Sequence, residues 1–167
     1  MEDCKPTVTP LPLNLKLSQV DGKKKANGKN YRSLVGSLMY LTATRPYIMF
    51  STNLLSRFMQ EPSEEHFHRG KRVLRYLKGT KNQGIWFKRV EEEKLTGYVD
   101  SDWVGSANDM KNTTSFCFTL RSGVFCWCSR KQEIVAQSTS EAEYVATTTA
   151  TNQALWIRKL MKDLGIE

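Results

Sequence analysis

The sequence predicts an α+β fold, on three observations. Apolar residues recur at helical spacing through residues 30–80. Runs of β-branched and aromatic residues, separated by turn residues, follow to about residue 129. A capped amphipathic stretch then closes the chain. With 167 residues and 40% apolar content the chain can bury a real core, and its composition is neither collagen-like nor that of a disordered chain.

Residues 1–29 read as a flexible linker, because Pro6, Pro10 and Pro12 are followed by the polar run DGKKKANGKN. Within it LPLNLKL is too short and too interrupted for a secretory h-region, so no signal peptide is visible. No apolar run reaches membrane-spanning length, and no membrane span is expected. From Asn30, Leu34, Val35, Leu38, Met39 and Leu41 mark a first helix, interrupted at Thr44-Arg45-Pro46 because proline restricts the residue before it. A second helix is expected over about 46–59 with Pro46 in its first turn, and a third from Pro62-Ser63-Glu64-Glu65 to about Leu77, closed by Gly79.

GIWF (84–87) and LTGYVDSDW (95–103) read as two strands joined by the polar stretch RVEEEK. SFCFTL (115–120) and GVFCWCS (123–129) flank Arg121-Ser122-Gly123, a hairpin signal, since glycine permits the positive φ of a tight turn. Ser138-Thr139-Ser140-Glu141 fits a capping box, Tyr144, Ala146, Ala150, Ala154, Leu155, Ile157 and Leu160 form the expected buried stripe, and Gly165 ends the helix.

The net charge is +8, a basic excess that favours polyanionic partners. Among four cysteines, Cys126 and Cys128 share a strand face, while Cys4 stands apart and Cys117 lies on an earlier strand; none sits at zinc spacing, so free thiols are expected. His66 and His68 fall on a helix and do not share a face, so no metal role is assigned to them.

Carboxylates are poor strand formers, yet Asp100 and Asp102 stand two apart in a strand, and Glu141 and Glu143 occupy the first turn of the last helix. If that helix crosses the strand the two pairs can meet, as a Mg²⁺ site for phosphodiester cleavage requires. Spacing alone favours the ordinary alternative, in which Asp102 ends a strand and the glutamates suit the helix dipole.

YRSLVGSLMYLTATRP, LLSRFMQEP, KRVLRYLKGT, GYVDSDWVGS, WCSRKQEIVAQSTSEAEYVA and QALWIRKLMKDLG, in that order, resemble the C-terminal part of a copia-type retrotransposon polyprotein over about residues 30–166. The resemblance implies that 30–80 is the helical tail of a reverse-transcriptase-like region. It implies that 81–167 is an incomplete RNase H-like domain, a truncated mixed sheet with a long helix. By family pattern Asp100 matches a first-strand metal ligand and Glu143 a helix carboxylate, with Asp102 and Glu141 their neighbours. The further family aspartate, on the strand after the long helix, and a later acidic residue find no match before Glu167, and Asp163 lies on the helix. Tyr47 stands where the family has an acid after Arg-Pro, and TTSFC (113–117) replaces Ser-Thr-Ser-Gly-Tyr. Asp100 and Glu143 are therefore expected to be vestigial. No enzyme activity, metal or cofactor is expected, Mg²⁺ entering only if the site is active, and one sheet edge should lack its strand.

Arg72-Val73-Leu74-Arg75, followed by Glu91-Glu92-Glu93, resembles the RxLR–dEER signature. The chain is also similar to free-standing copia-like proteins named secreted RxLR effectors of oomycete plant pathogens. That likeness implies virulence: secretion into a host cell, with host nucleus or chloroplast as destinations, binding of an unknown host protein, and suppression of plant cell death. RVLR is also part of a copia motif, on an amphipathic helix with Val73, Leu74 and Leu77 inward and Arg72 and Arg75 outward. Arg69, Lys71, Arg72, Arg75, Lys78 and Lys81 form a basic stretch able to meet nucleic acid, with Tyr76 and Trp86 for stacking. Three functions stand open: first a non-catalytic effector, then an inert intracellular polyprotein fragment, then an RNase H-type nuclease completed in trans.

Overall fold

A computed structural model describes residues 3–13, 15–89, 94–102, 110–120 and 122–166. The chain divides into two compact units, one up to Gly84 and one from Ile85 onward.

The first unit is helical. In α1 (Gly28–Leu41) the Asn27 side chain accepts from the Asn30 N–H, and Tyr31, Val35 and Leu38 are buried at helical spacing. The expected break appears as a 3₁₀ turn at Pro46–Ile48. It leads into α2 (Met49–Ser56), which is shorter than the predicted 46–59. Beyond Ser56 the Arg57, Phe58 and Met59 amides reach back three residues, so the helix tightens into turns before it stops. In α3 (Glu64–Gly79) Ser63 Oγ accepts from the His66 N–H and the Ser63 N–H donates to His66 Nδ1, a capping box with histidine in the usual Glu/Gln position.

Tyr31, Val35, Leu38, Ile48, Leu55, Phe58 and Val73 form the core, and Leu11 and Leu17 join it. The stretch read as a linker therefore contributes two leucines to the core. It is tied further on by Ala26 N–H to Pro62 O (2.9 Å) and Glu64 N–H to Lys24 O (2.8 Å). Leucines too sparse for an h-region suffice to anchor this segment, with Leu15 partly buried beside Leu11 and Leu17 while Leu13 is exposed.

The second unit has the antiparallel order β1 (Leu95–Asp102), β2 (Thr113–Leu120), β3 (Gly123–Lys131), followed by α4 (Thr139–Asp163). The class is α+β, as the sequence predicts; among the described residues the sheet is antiparallel throughout. The predicted strand at 84–87 does not form. Instead Phe87 lies so close to the hairpin that a Cβ on Gly123 would come within 2.3 Å of its ring. The Lys88 N–H donates to Ser122 Oγ (2.7 Å), and Trp86 stays exposed. Four residues are too few for alternation to distinguish a pairing strand from a docked aromatic.

The Ser138 cap forms, accepting from the Glu141 N–H at 3.1 Å, while Glu141 Oε2 accepts from the Gln137 N–H. Along α4 the buried residues are Ala142, Ala146, Ala150 and Ile157. Tyr144 (74% exposed), Leu155 (50%) and Leu160 (42%) lie outside the stripe the sequence assigned them to. Alanines let the helix approach Phe116 and Phe118 closely, so the contact line is narrower than the apolar pattern. Gly165, at φ +72°, ends α4 in a Schellman motif, with Ile166 N–H donating to Met161 O and Gly165 N–H to Lys162 O. Among the described residues no helix is long and apolar enough to cross a membrane.

Candidate functional site

Strand alternation decides where the acidic residues go. Leu95 packs in the cluster with Phe118 and Ile157, and a Cβ on Gly97 would lie 2.6 Å from the Phe118 ring. Ser101 Oγ donates to Glu143 Oε1 at 2.8 Å. Odd-numbered residues of β1 therefore face α4. Asp100 and Asp102 belong to the opposite face, where Asp100 pairs across to Ser115, and Ser115 Oγ donates to Ser129 Oγ (3.1 Å). The helix crosses the strand as the sequence reading supposed, but the residue it meets is Ser101. That serine sits between two carboxylates in DSD, and the period of two was the signal that could have found it. Among the described residues no group of three or more His, Cys, Asp or Glu side chains could hold a metal ion.

The basic stretch is largely occupied inside the first unit. Arg69 pairs with Glu65 one turn back. The Lys71 ammonium lies 4.6 Å from the Phe67 ring centroid. Arg72, expected to point outward, is half-buried and donates to Thr9 Oγ1 (3.1 Å), while Thr7 Oγ1 donates to Arg72 O (3.4 Å). Lys78 Nζ donates to Cys4 O (2.9 Å), and Pro6 packs against Gly79. Residues 4–9 thus run as a strap along the second half of α3. Val73 is buried, Leu74 partly so, and Arg75 half-exposed; Lys81 is exposed. RVLR is therefore a helical segment with its first arginine already engaged, and Glu91, Glu92 and Glu93 lie outside the described residues. Of the proposed stacking pair, Tyr76 packs edge-on against Tyr47 (5.8 Å between centroids), whereas Trp86 is open. The Tyr47 hydroxyl accepts from Arg45, whose guanidinium also donates to Thr80 O and Lys81 O at the end of α3.

Sequence reasoning missed one polar cluster. Ser63 Oγ donates to the Asp21 carboxylate, Ser63 N–H donates to His66 Nδ1, and the His66 ring stacks on Phe58 at 3.9 Å. The Ser63 hydroxyl holds Asp21 below the usual carboxylate range, and burial pulls His66 below its ordinary value, with Asp21 opposing. The Ser63 hydroxyl also lies 3.1 Å from His66 Nδ1, so Asp21, Ser63 and His66 form one hydrogen-bonded cluster built around the cap of α3. Cys126 and Cys128 share the α4 side of the sheet as expected, and burial raises both thiols and that of Cys117, which makes them poor nucleophiles.

No family model matches the chain, and no solved structure matches it. The retrovirus-related Pol polyprotein from transposon RE1 of Arabidopsis thaliana is 41% identical over 166 residues, covering 99% of this chain and 11% of that protein. The Pol polyprotein from transposon TNT 1-94 of Nicotiana tabacum is 38% identical over 173 residues, covering 99% of this chain and 13% of its own length. The chain thus spans about a tenth of these polyproteins. "Secreted RxLR effector protein 161" of Plasmopara viticola is 41% identical over 128 residues, covering 76% of this chain and 90% of that protein. With likeness along nearly its whole length, the chain belongs to the family of copia-type retrotransposon Pol polyproteins.

Proposed function

We propose that this chain is a non-catalytic member of the copia Pol family that acts by binding a host protein, as an effector suppressing plant cell death. The observation that carries the non-catalytic part is the contact of Glu143 with Ser101, while Asp100 stands on the other face of β1. A two-metal site needs carboxylates converging on one point, and the described donors do not fit Mg²⁺ in that way, so no step is routed through a metal. The effector part is supported by likeness to a protein of that name over nine-tenths of its length. Arg72 is spent on the strap and Val73 on the core, so binding here is ascribed to the folded surface and not to RVLR as a linear signal.

Transient expression in plant leaf, scored for suppression of elicitor-triggered cell death, tests this, with Asp100→Asn and Glu143→Gln forms alongside. Suppression by all three supports binding on a non-catalytic scaffold. Absence of suppression, with the protein shown to accumulate, removes the effector role. Mg²⁺-dependent cleavage of an RNA–DNA hybrid by the purified protein, lost in either variant, would establish the nuclease reading instead.

A further inference from the structure

The α4 side of β3 carries Cys126, Cys128 and Arg130 at the strand period of two. Both cysteines are half-buried free thiols, packed against the cluster that joins Phe116 and Phe118 to α4. With Arg130, Asn152 and Gln153 they line a cavity of about 400 Å³. Alternate residues of a strand stand about 6.8 Å apart. That is the limit of what a relaxed disulfide spans, but two sulfurs turned toward each other leave room for one ion between them. Each sulfur also has a neighbour that favours a thiolate. Burial raises the Cys126 thiol, and the Gln153 amide opposes this by donating to its Sγ at 3.7 Å. Burial raises the Cys128 thiol as well, and there the Arg130 charge opposes it. Protonated thiols are poor nucleophiles, but a soft metal ion can displace their protons.

We infer that Cys126 and Cys128 form a two-sulfur site for copper(I). Uptake releases one proton from each thiol to solvent, forms two copper–sulfur bonds and leaves the oxidation state of the metal unchanged. The resulting bis-thiolate carries one net negative charge, which Arg130 offsets, while Gln153 keeps its bond to one sulfur. The donor set selects the ion. Sulfur donors exclude hard cations such as Mg²⁺, and soft thiolates favour copper(I), zinc or iron–sulfur clusters. Zinc and such clusters ask for four ligands, and among the described residues no third His, Cys, Asp or Glu joins the pair. Copper(I), singly charged and with a filled d shell, is satisfied by two. The site is built from β3 and α4 alone, and it does not depend on whether the chain suppresses cell death.

The test is titration of the full chain with copper(I), without oxygen and in competition with a chromophoric copper(I) chelator. The parent should withdraw one equivalent, and so should a double variant, Cys4→Ser with Cys117→Ser, that removes the other two thiols. Cys126→Ser and Cys128→Ser should each withdraw none at the same chelator concentration. Gln153→Ala and Arg130→Ala leave both sulfurs in place and should weaken uptake roughly tenfold, so the assignment does not hang on variants that alter the sheet itself. X-ray absorption at the copper edge should show two sulfur neighbours. No uptake by the parent, or uptake retained in Cys126→Ser or Cys128→Ser, overturns the proposal. So does uptake lost in the Cys4→Ser, Cys117→Ser form, affinity unchanged in both milder variants, or a third sulfur or a nitrogen bound to the ion. Displacement of copper(I) by equimolar zinc would likewise overturn it, because two sulfurs alone would then not be what selects the ion.

Discussion

If the Ser101–Glu143 contact is structural, Ser101→Ala and Glu143→Ala, each of which removes one partner, should be coupled, and a double-mutant cycle should reveal it. The bond is 2.8 Å long, from a hydroxyl to a carboxylate oxygen, between half-buried residues on the sheet and the first turns of α4. Hydrogen bonds to charged groups contribute about 1.5–3 kcal/mol, and partial exposure reduces that to about 1 kcal/mol here. With a urea slope of about 1–2 kcal/mol/M, each single change should lower the unfolding midpoint by roughly 0.5–1 M. The double variant should fall little further. Asp100→Asn, on the exposed face, should stay within about 0.5 kcal/mol of the parent. Hydrogen exchange of β1 and α4 amides reads the second unit directly. Additive losses, with a coupling below about 0.3 kcal/mol, would refute the contact. A gain in stability from Glu143→Gln, together with stabilisation of the parent by Mg²⁺, would refute the reasoning altogether. Clustered metal ligands repel one another without their cation, so neutralising one would then help.

Burial lowers His66, so the unfolded chain binds its proton more readily than the folded one. Stability should be complete above the ordinary histidine value of about 6.5 and decline as pH falls through and below it. His66→Gln, which keeps a side chain able to close the capping box, should flatten that slope in thermal unfolding between about pH 7.5 and 5. Gly97→Ala places a Cβ 2.6 Å from the core Phe118 ring and should cost about 1–3 kcal/mol, read by urea unfolding; an unchanged midpoint would mean β1 lies elsewhere. Arg72→Ala removes the donor to Thr9, so limited proteolysis should nick the strap of residues 4–9 faster while the thermal midpoint moves little; protection unchanged from the parent would show that Arg72 does not hold it.

What was legible in the sequence was what depends on local periodicity and end chemistry. The Ser63 and Ser138 caps, the break before Pro46 and the hairpin before Gly123 all appear, because each is decided within a few residues. Partnership between distant segments was not legible. Leu11 and Leu17 enter a core built by helices beginning at Gly28, and nothing local marks them as anchors. Arg72 looked like an outward cation because helical spacing places it on the polar side; the strap from Cys4 to Thr9 that occupies it comes from more than sixty residues away. The α4 stripe was drawn too wide because alanine carries little weight in an apolar pattern, although three alanines and Ile157 make the contact.

The placement of Asp100 follows from packing and not from the acids themselves. A shift of β1 by one residue would turn Asp100 and Asp102 toward α4. The same shift would bring Tyr98 to the place of Gly97, where even a Cβ lies 2.6 Å from Phe118, and would take Leu95 out of the cluster with Ile157. A tyrosine ring cannot enter a space that does not admit a methyl group without moving Phe118, itself 3% exposed in the core. The glycine and leucine that make β1 fit its helix thus hold the carboxylates of GYVDSDWVG on the face away from α4. A cation able to draw Asp100 toward Glu143 would have to dismantle the packing that positions Glu143.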